Sequence, residues 1–215
     1  MKEYSNPSDK STWGAALNKH SLSGELDYSG FYNEINYVSP GIHILPHYKK
    51  CLSLLKDGEF WMDAGCGCGH HLKKAIADKN IKLFGMDVVE KSVDAAISNG
   101  INCVKHSISE PFPYEDNYFD LVTSTDVLEH LSPKHVDLAL SEIYRVTKRG
   151  KHAMLAPHPK PDGSGLIHLT VKPTSWWREQ CEKIGFTFVE YCGDGKGTVG
   201  GVEHYDGKGI VLKKL

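Results

Sequence analysis

From residue 60 onward, short apolar runs alternate with segments of helical period, and this alternation limits the possible folds more than any other feature. Runs at residues 60–64, 81–86, 101–105, 119–124, 152–156, 186–191 and 209–212 read as strands. Between them, helices are marked by Leu72, Ala75 and Ile76, by Val93, Ala96 and Ile97, by Val136, Leu140, Ile143 and Thr147, and by residues 175–184. Ser132 followed by Pro133 is a cap and a first-turn proline. Asn99 with Gly100, the Lys148-Arg149-Gly150 run and Gly185 are expected to end helices. Strands and helices in alternation predict an α/β fold: a doubly wound, seven-stranded sheet covered on both faces, with ligands beyond the carboxyl ends of the strands. The last two strands are joined by a Gly-rich stretch (Gly193, Gly195, Gly197, Gly200, Gly201, Gly207) without helical period. They predict a hairpin and an antiparallel last strand at the sheet edge.

Ahead of the alternating region, residues 1–30 are polar and lack a sustained apolar period. They read as an arm or lid, to which Tyr28, Phe31, Tyr32 and Tyr37 add aromatic side chains that could cover a pocket. Residues 43–55 predict a helix with Ile44, Tyr48, Cys51, Leu52 and Leu55 on one stripe and Gly58 closing it. The expected organisation is an amino-terminal arm over residues 1–42 and one domain over residues 43–215.

Charge narrows the partners. The 215 residues carry 25 Lys plus Arg against 27 Asp plus Glu, a net charge of -2, and no Lys/Arg block exceeds two residues. Phosphate-rich partners call for a basic face, so nucleic acid is not expected. No apolar run approaches the roughly 20 residues that span a bilayer, and residues 1–10 have no apolar core of a signal peptide. The expected location is cytoplasmic, without membrane contact and with the six cysteines reduced. Cys51, Cys103 and Cys181 read as small buried apolar residues.

The sharpest local signal is Asp63-Ala-Gly65-Cys66-Gly67-Cys-Gly69, at the predicted junction of the first strand and a helix. Alternate glycines let backbone turn tightly and approach a ligand. A dinucleotide fingerprint would read G-x-G-x-x-G and hold pyrophosphate at the helix start. Here the spacing is G-x-G-x-G, His70 takes the place of that third glycine, and a carboxylate precedes the turn. An acid in this place suits a cation and opposes a phosphate. Asp87 ends the second strand, where a carboxylate can accept both hydroxyls of a ribose. A nucleoside carrying positive charge and no phosphate fits all three features, and S-adenosylmethionine is such a molecule.

These segments resemble the class I S-adenosylmethionine-dependent methyltransferases of the broad small-molecule type, over about residues 58–191. The matching strings are Phe60-Trp-Met-Asp-Ala-Gly-Cys-Gly-Cys-Gly69, Asp87, Pro111-Phe-Pro113, Asn117-Tyr-Phe-Asp120-Leu-Val, Asp126-Val-Leu-Glu-His130-Leu and Arg145-Val-Thr-Lys-Arg-Gly150. The resemblance implies a Rossmann-like fold, S-adenosyl-L-methionine as cofactor and S-adenosyl-L-homocysteine as product. It implies that Gly65, Cys66, Gly67 and Gly69 line the methionine portion beside Asp63, and that Asp87 takes the ribose. Val88 and Ile108 would face the adenine, and Thr125 or Asp126 would floor the site near the sulfonium. One position departs from the pattern. Ser107 stands where many members carry an Asp for the adenine amino group, and an uncharged hydroxyl makes a weaker bond.

Methyl transfer needs a positioned acceptor and, for a hydroxyl or protonated amine, a base of near-neutral pKa. His130, His158 and His168, each after a predicted strand or in the loop that follows, are the candidates, and His204 in the Gly-rich stretch is a further one. Each has a plainer reading as a loop or turn anchor. The stretch from His168 to Trp177 resembles a segment of methyltransferases acting on sugars or other cell-surface metabolites. One of Trp176 and Trp177 is expected in the core and the other at a pocket. Cys66, Cys68, His70 and His71 are too closely spaced for a usual zinc site, so no metal is expected there. The expected function is methyl transfer to an oxygen or nitrogen of a small polar metabolite, a sugar among the candidates, with oligomeric state open. The alternatives are a protein side chain as acceptor on the same fold, and a non-catalytic regulator that binds the cofactor.

Overall fold

The computed structural model describes residues 13–20, 27–34, 46–76, 79–158, 167–193, 197–199, 202–204 and 209–215. Three helices, α1 (Trp13–His20), α2 (Tyr28–Glu34) and α3 (Pro46–Ser53), precede the alternating region. It then runs β1 (Phe60–Ala64), α4 (His70–Ala75), β2 (Lys82–Asp87), α5 (Glu90–Ser98), β3 (Asn102–Lys105) and β4 (Phe119–Thr125). A 3-10 turn, Leu128–His130, leads to α6 (Pro133–Val146), β5 (Thr147–Ala156), α7 (Thr174–Ile184) and β6 (Phe186–Cys192). The short strands β7 (Gly197–Val199) and β8 (Val202–His204) pair only with each other, and β9 (Gly209–Lys214) returns to the main sheet.

The seven-stranded sheet has the order β3-β2-β1-β4-β5-β9-β6. Its first five strands are parallel, and β9 is antiparallel to both β5 and β6. The α/β, doubly wound, Rossmann-like architecture expected from the sequence is therefore present. The antiparallel last strand is present too, but not at the edge. It is inserted between β5 and β6, because Ile210, Val211 and Leu212 are apolar on both faces and all three are fully buried. A strand apolar on both faces belongs inside a sheet.

Side-chain alternation places two cores on opposite faces. Trp61 and Leu121, paired in register, go to the face covered by α3, α4 and α5, with Cys51, Leu72, Val93 and Ala96. Met62 and Val122, the next pair, go to the face covered by α6 and α7, with Leu140, Ile143, Trp177 and Cys181. Ser132 is the N-cap of α6 and Pro133 its first residue, as expected, although the serine side chain makes no capping bond.

The end of α6 differs from expectation. The helix stops at Val146, and Lys148, Arg149 and Gly150 belong to β5. Gly150 has φ +75° and lies where the pairing of β4 with β5 shifts register, so it serves a strand irregularity. A positive-φ glycine signals either feature. At the same end, Asp120 accepts from Phe60 N at 3.1 Å and pairs with Lys148 at 2.8 Å and Lys151 at 3.4 Å. Arg145 bridges Glu142 at 2.7 Å, Asp116 at 2.8 Å and two backbone carbonyls. The Asp120 and Arg145 motifs thus fasten the starts of strands and the end of α6, away from the carboxyl edge.

The amino-terminal segment holds more structure than its sequence suggests. Phe31 from α2 and Ala16 and Leu17 from α1 are buried in a small cluster with Ile167. With 8 and 7 residues, α1 and α2 are too short for a period to stand out.

Candidate functional site

Beyond the carboxyl ends of β1, β2 and β4 lies a cavity of about 580 Å³. Its walls follow from how these strands end. β1 passes into Gly65 at φ +85°, where an added Cβ would lie 2.3 Å from Val127 Cγ2. Only a glycine lets Val127 close over the turn. The Gly65 and Cys66 amides both donate to Met86 O, at 2.8 and 3.1 Å, so the loop is pinned to β2. At the end of β2, Asp87 accepts from Gly67 N through Oδ2 at 3.0 Å and from Val89 N through Oδ1 at 2.9 Å. Burial raises the Asp87 pKa, and the amides of Val89, Gly67 and Val88 oppose the shift.

Asp63 is buried at the floor. Tyr48 donates to its Oδ2 at 2.9 Å and Thr123 to its Oδ1 at 2.6 Å. Loss of water lifts its pKa to about 6, against the pull of those two hydroxyls. Asp126, one residue past β4, is held at φ +53° with its amide on Ala156 O at 3.0 Å. Burial raises its pKa as well, with His158, His47, His168 and His71 drawing it back. Asp27, Asp63, Asp87 and Asp126 all line the cavity, and no lysine or arginine does so among the described residues. Such a chamber favours a bound cation and disfavours phosphate.

The structure gathers Asp63, Gly65, Cys66, Gly67, Asp87, Val88, Ser107, Ile108, Thr125, Asp126 and His130 around this one cavity. Ser107 Oγ lies 2.7 Å from Ser109 Oγ and accepts from Ser109 N at 3.2 Å. Cys66 turns its thiol to Cys103 Sγ at 3.5 Å, and burial with that contact raises its pKa well above the usual thiol range.

Gly69 does not line the cavity. It caps α4 at φ +69°, where a Cβ would meet Ile101 Cγ1 at 2.6 Å, so its role is helix packing. His158 and His168 also lie off the lining; they stand behind His130 in a row of rings. The ring centroids are 4.9 Å apart for His130 and His168, and 5.2 Å apart for His168 and His158. Trp177 is fully buried, while Trp176 is half-buried under Lys172 and does not border the cavity. The adjacent-tryptophan expectation therefore holds for the core partner alone. His204 falls in β8, of whose side chains nothing is described, and Tyr37 lies outside the described residues. Cys68 and His70 contact each other at 3.2 Å, but the loop cysteines and histidines do not assemble as a metal-ligand group among the described residues.

Tyr48, His71 and Glu129 are not singled out for this site by the sequence, whereas Tyr28 and Tyr32 are among the aromatic side chains expected over a pocket. Tyr48 and His71, stacked with centroids 5.6 Å apart, line the floor. Tyr28 and Tyr32 of α2 line the cavity, and the Tyr28 hydroxyl donates to His130 O at 3.0 Å and to Ile167 O. Glu129 is the most consequential omission. It is fully buried beside His130, and burial together with the Asp126 charge lifts its pKa to about 8. The amides of Glu129 and His158 face its carboxylate and oppose the shift, but neither oxygen has a hydrogen-bond partner. The signal was the Leu-Glu-His string, read for its histidine alone.

Comparison with known proteins agrees with this geometry. Residues 62–155 match the family model described as a methyltransferase domain. Phosphoethanolamine N-methyltransferase 2 of Caenorhabditis elegans is 26% identical over 141 residues, covering 60% of this chain and 31% of that protein. A probable tRNA methyltransferase 9B of Bos taurus is 30% identical over 111 residues, covering 51% of this chain and 24% of that protein. The matched stretches thus span about a quarter to a third of these curated relatives. A TehB-like, S-adenosylmethionine-dependent methyltransferase structure from Corynebacterium glutamicum superposes with a TM-score of 0.62 at 20% identity, covering 98% of this chain and 100% of the other, and so shares the fold. The stretch that matches the methyltransferase domain runs from β1 to β5 around the cavity, and the fold is one that this chain shares with an S-adenosylmethionine-dependent methyltransferase.

Proposed function

We propose that this chain transfers a methyl group from S-adenosyl-L-methionine to an oxygen or nitrogen of a small polar metabolite, a sugar among the candidates. The observation that carries the reading is the acidic cavity without lysine or arginine at the carboxyl edge of β2, β1 and β4. A sulfonium and an ammonium fit such a chamber, and a nucleotide phosphate does not. The cofactor supplies an electrophilic methyl for in-line displacement. Asp87 holds the ribose hydroxyls while keeping the loop in place through Gly67 and Val89. Val88 and Ile108 flank the adenine, with Ser107 at its edge. Asp63 and Asp126 supply negative charge for the ammonium and sulfonium, and the backbone of residues 65–67 wraps the methionine chain.

The acceptor enters on the side of His130, and the row His130, His168, His158 provides the group that receives its proton. Tyr28 and Tyr32 cover that side, so the segment over residues 1–42 serves as a lid in this reading. In this reading the tyrosines, and not a tryptophan, offer the aromatic face to the acceptor. A covered chamber favours a small acceptor over a protein side chain. The near-neutral composition also disfavours nucleic acid as acceptor, although one relative is named for tRNA. Six free, buried cysteines suit a reducing compartment such as the cytoplasm. Among the described residues, no helix is long and apolar enough to cross a membrane.

The direct test is incubation of the purified chain with methyl-labelled donor and fractionated metabolite extract. Label appearing in a low-molecular-mass product is the expected result. Label confined to protein or tRNA would replace the acceptor class, and donor binding without any product would favour a regulator.

A further inference from the structure

Glu129 is fully buried and neither carboxylate oxygen has a hydrogen-bond partner. Desolvating an oxygen pair in this way is costly unless something occupies the space it faces. Glu129 Oε1 lies 3.9 Å from His130 Nε2. The tautomer of His130 follows from its other nitrogen: Nδ1 lies 3.0 Å from the Ile167 carbonyl oxygen, which can only accept, so Nδ1 is the donor. The neutral ring then turns the lone pair on Nε2 toward the carboxylate. Two electron-rich groups facing each other favour a positive species between them, a proton when no metal ion is bound and a metal ion when one is. The ring nitrogens of His168 complete the set, since one donor atom from each of Glu129, His130 and His168 lies within 4.8 Å of the others.

We propose that Glu129, His130 and His168 bind one divalent first-row transition-metal ion at the wall of the cofactor cavity. Two donors on one ion are about 3.0–4.2 Å apart for bonds of about 2.1 Å, so the Glu129 to His130 spacing already fits and small side-chain rotations close the rest. Two imidazoles and one carboxylate select zinc, manganese, iron or cobalt, and pass over calcium and magnesium, which prefer all-oxygen shells. The bond from His130 Nδ1–H to a backbone carbonyl is the outer-shell support that ligating histidines usually have. Of the three ligands, His130 lines the chamber.

If the methyl-transfer reading is correct, an acceptor hydroxyl or amine bound to the ion is made more acidic and is held in place. The role of proton acceptor then passes to His158, the member of the histidine row outside the ligand set. This assignment of roles rests on the methyl-transfer reading, whereas binding of the ion does not.

The test titrates Co2+ into the EDTA-treated full chain, following visible absorption for coordination, with Zn2+ competition by calorimetry and Mg2+ as the oxygen-selective comparison. The expected result is one Co2+ per chain, displaced by Zn2+ and bound at least tenfold more tightly than Mg2+. Glu129→Gln and His168→Ala should each weaken Co2+ binding at least tenfold, while His70→Ala leaves it unchanged. Binding of S-adenosyl-L-homocysteine and the thermal midpoint, measured on each variant, separate loss of the ion from loss of the fold. Absence of stoichiometric Co2+, undiminished binding in His168→Ala, or a near-ultraviolet thiolate band marking Cys66 or Cys68 as ligand would overturn the proposal. Failure of methyl transfer would leave the titration result intact.

Discussion

Asp87→Asn separates the loop-holding job of this side chain from the ribose-binding job that the methyl-transfer reading gives it. In the structure both carboxylate oxygens accept backbone amides, Gly67 at 3.0 Å and Val89 at 2.9 Å, and both retain lone pairs for a ribose diol. Asparagine keeps one acceptor and turns an NH2 group toward the other amide. One buried N–H then loses its partner, which costs about 1–3 kcal/mol. Some of that is returned, because burial of the Asp87 charge is itself unfavourable, as its raised pKa indicates. The net cost should fall at the low end, about 1 kcal/mol, or about 2–4 °C in thermal midpoint for a chain of this size. Cofactor binding should suffer more. One of two charge-assisted bonds to the ribose is lost, at about 1.5–3 kcal/mol, so the Kd for S-adenosyl-L-homocysteine should rise about 10- to 150-fold. Calorimetric titration beside a thermal melt reads both quantities on one sample. A Kd within twofold of the parent, with an unchanged melt, would refute both roles given to Asp87.

Three further perturbations probe the same site. Gly65→Ala places a Cβ 2.3 Å from Val127 Cγ2 at φ +85°, so it should destabilise by at least about 1–2 kcal/mol and weaken cofactor binding more than tenfold; parental affinity by calorimetry would contradict the loop geometry. Asp63 has its pKa raised to about 6 from 3.8 by burial, so the folded chain binds more protons than the unfolded one across that window, and this group's contribution to stability falls as pH rises through it by on the order of 3 kcal/mol. Urea melts at several pH values should show that slope in the parent and not in Asp63→Asn, and equal slopes would exclude Asp63 as its source. Tyr28→Phe removes the donor to His130 O and Ile167 O, which should speed proteolysis of the amino-terminal segment and raise the acceptor KM more than it lowers kcat. An unchanged digestion rate would mean that the other contacts of α2, Phe31 in its apolar cluster and Glu34 with Lys19 and His20, hold it without the Tyr28 hydroxyl.

The fold was legible because its strands are carried by local pattern. Residues 60–64 and 119–124 are apolar on both faces, and a parallel sheet with two cores is the outcome that buries both. The cofactor loop was legible because glycine spacing reports backbone conformation directly. Other features depend on encounters that no local pattern encodes. Gly150 carries the same positive-φ signal in a strand bulge as at a helix end, and Gly69 looks like its loop neighbours until Ile101 is seen against it. The position of β9 depends on which strand it meets, and hairpin logic assigns the nearest. Glu129 was obscured because an acid in a soluble chain reads as surface until the packing around it is known, and the grouping of His130 with His168 joins residues from separate loops.

The placement of β9 also orders the assembly of the molecule in time. Within the main sheet β6 pairs with β9 alone, so during synthesis β6 emerges with no strand to join. The five parallel strands and the loop at Gly65 can form while translation continues, but β5 keeps an open edge until residues 209–214 are made. In that interval two unsatisfied strand edges are present in one nascent chain, and unpaired edges attract other chains. Destabilisation of β9 should therefore appear first as aggregation during expression, before any weakening of the cofactor site.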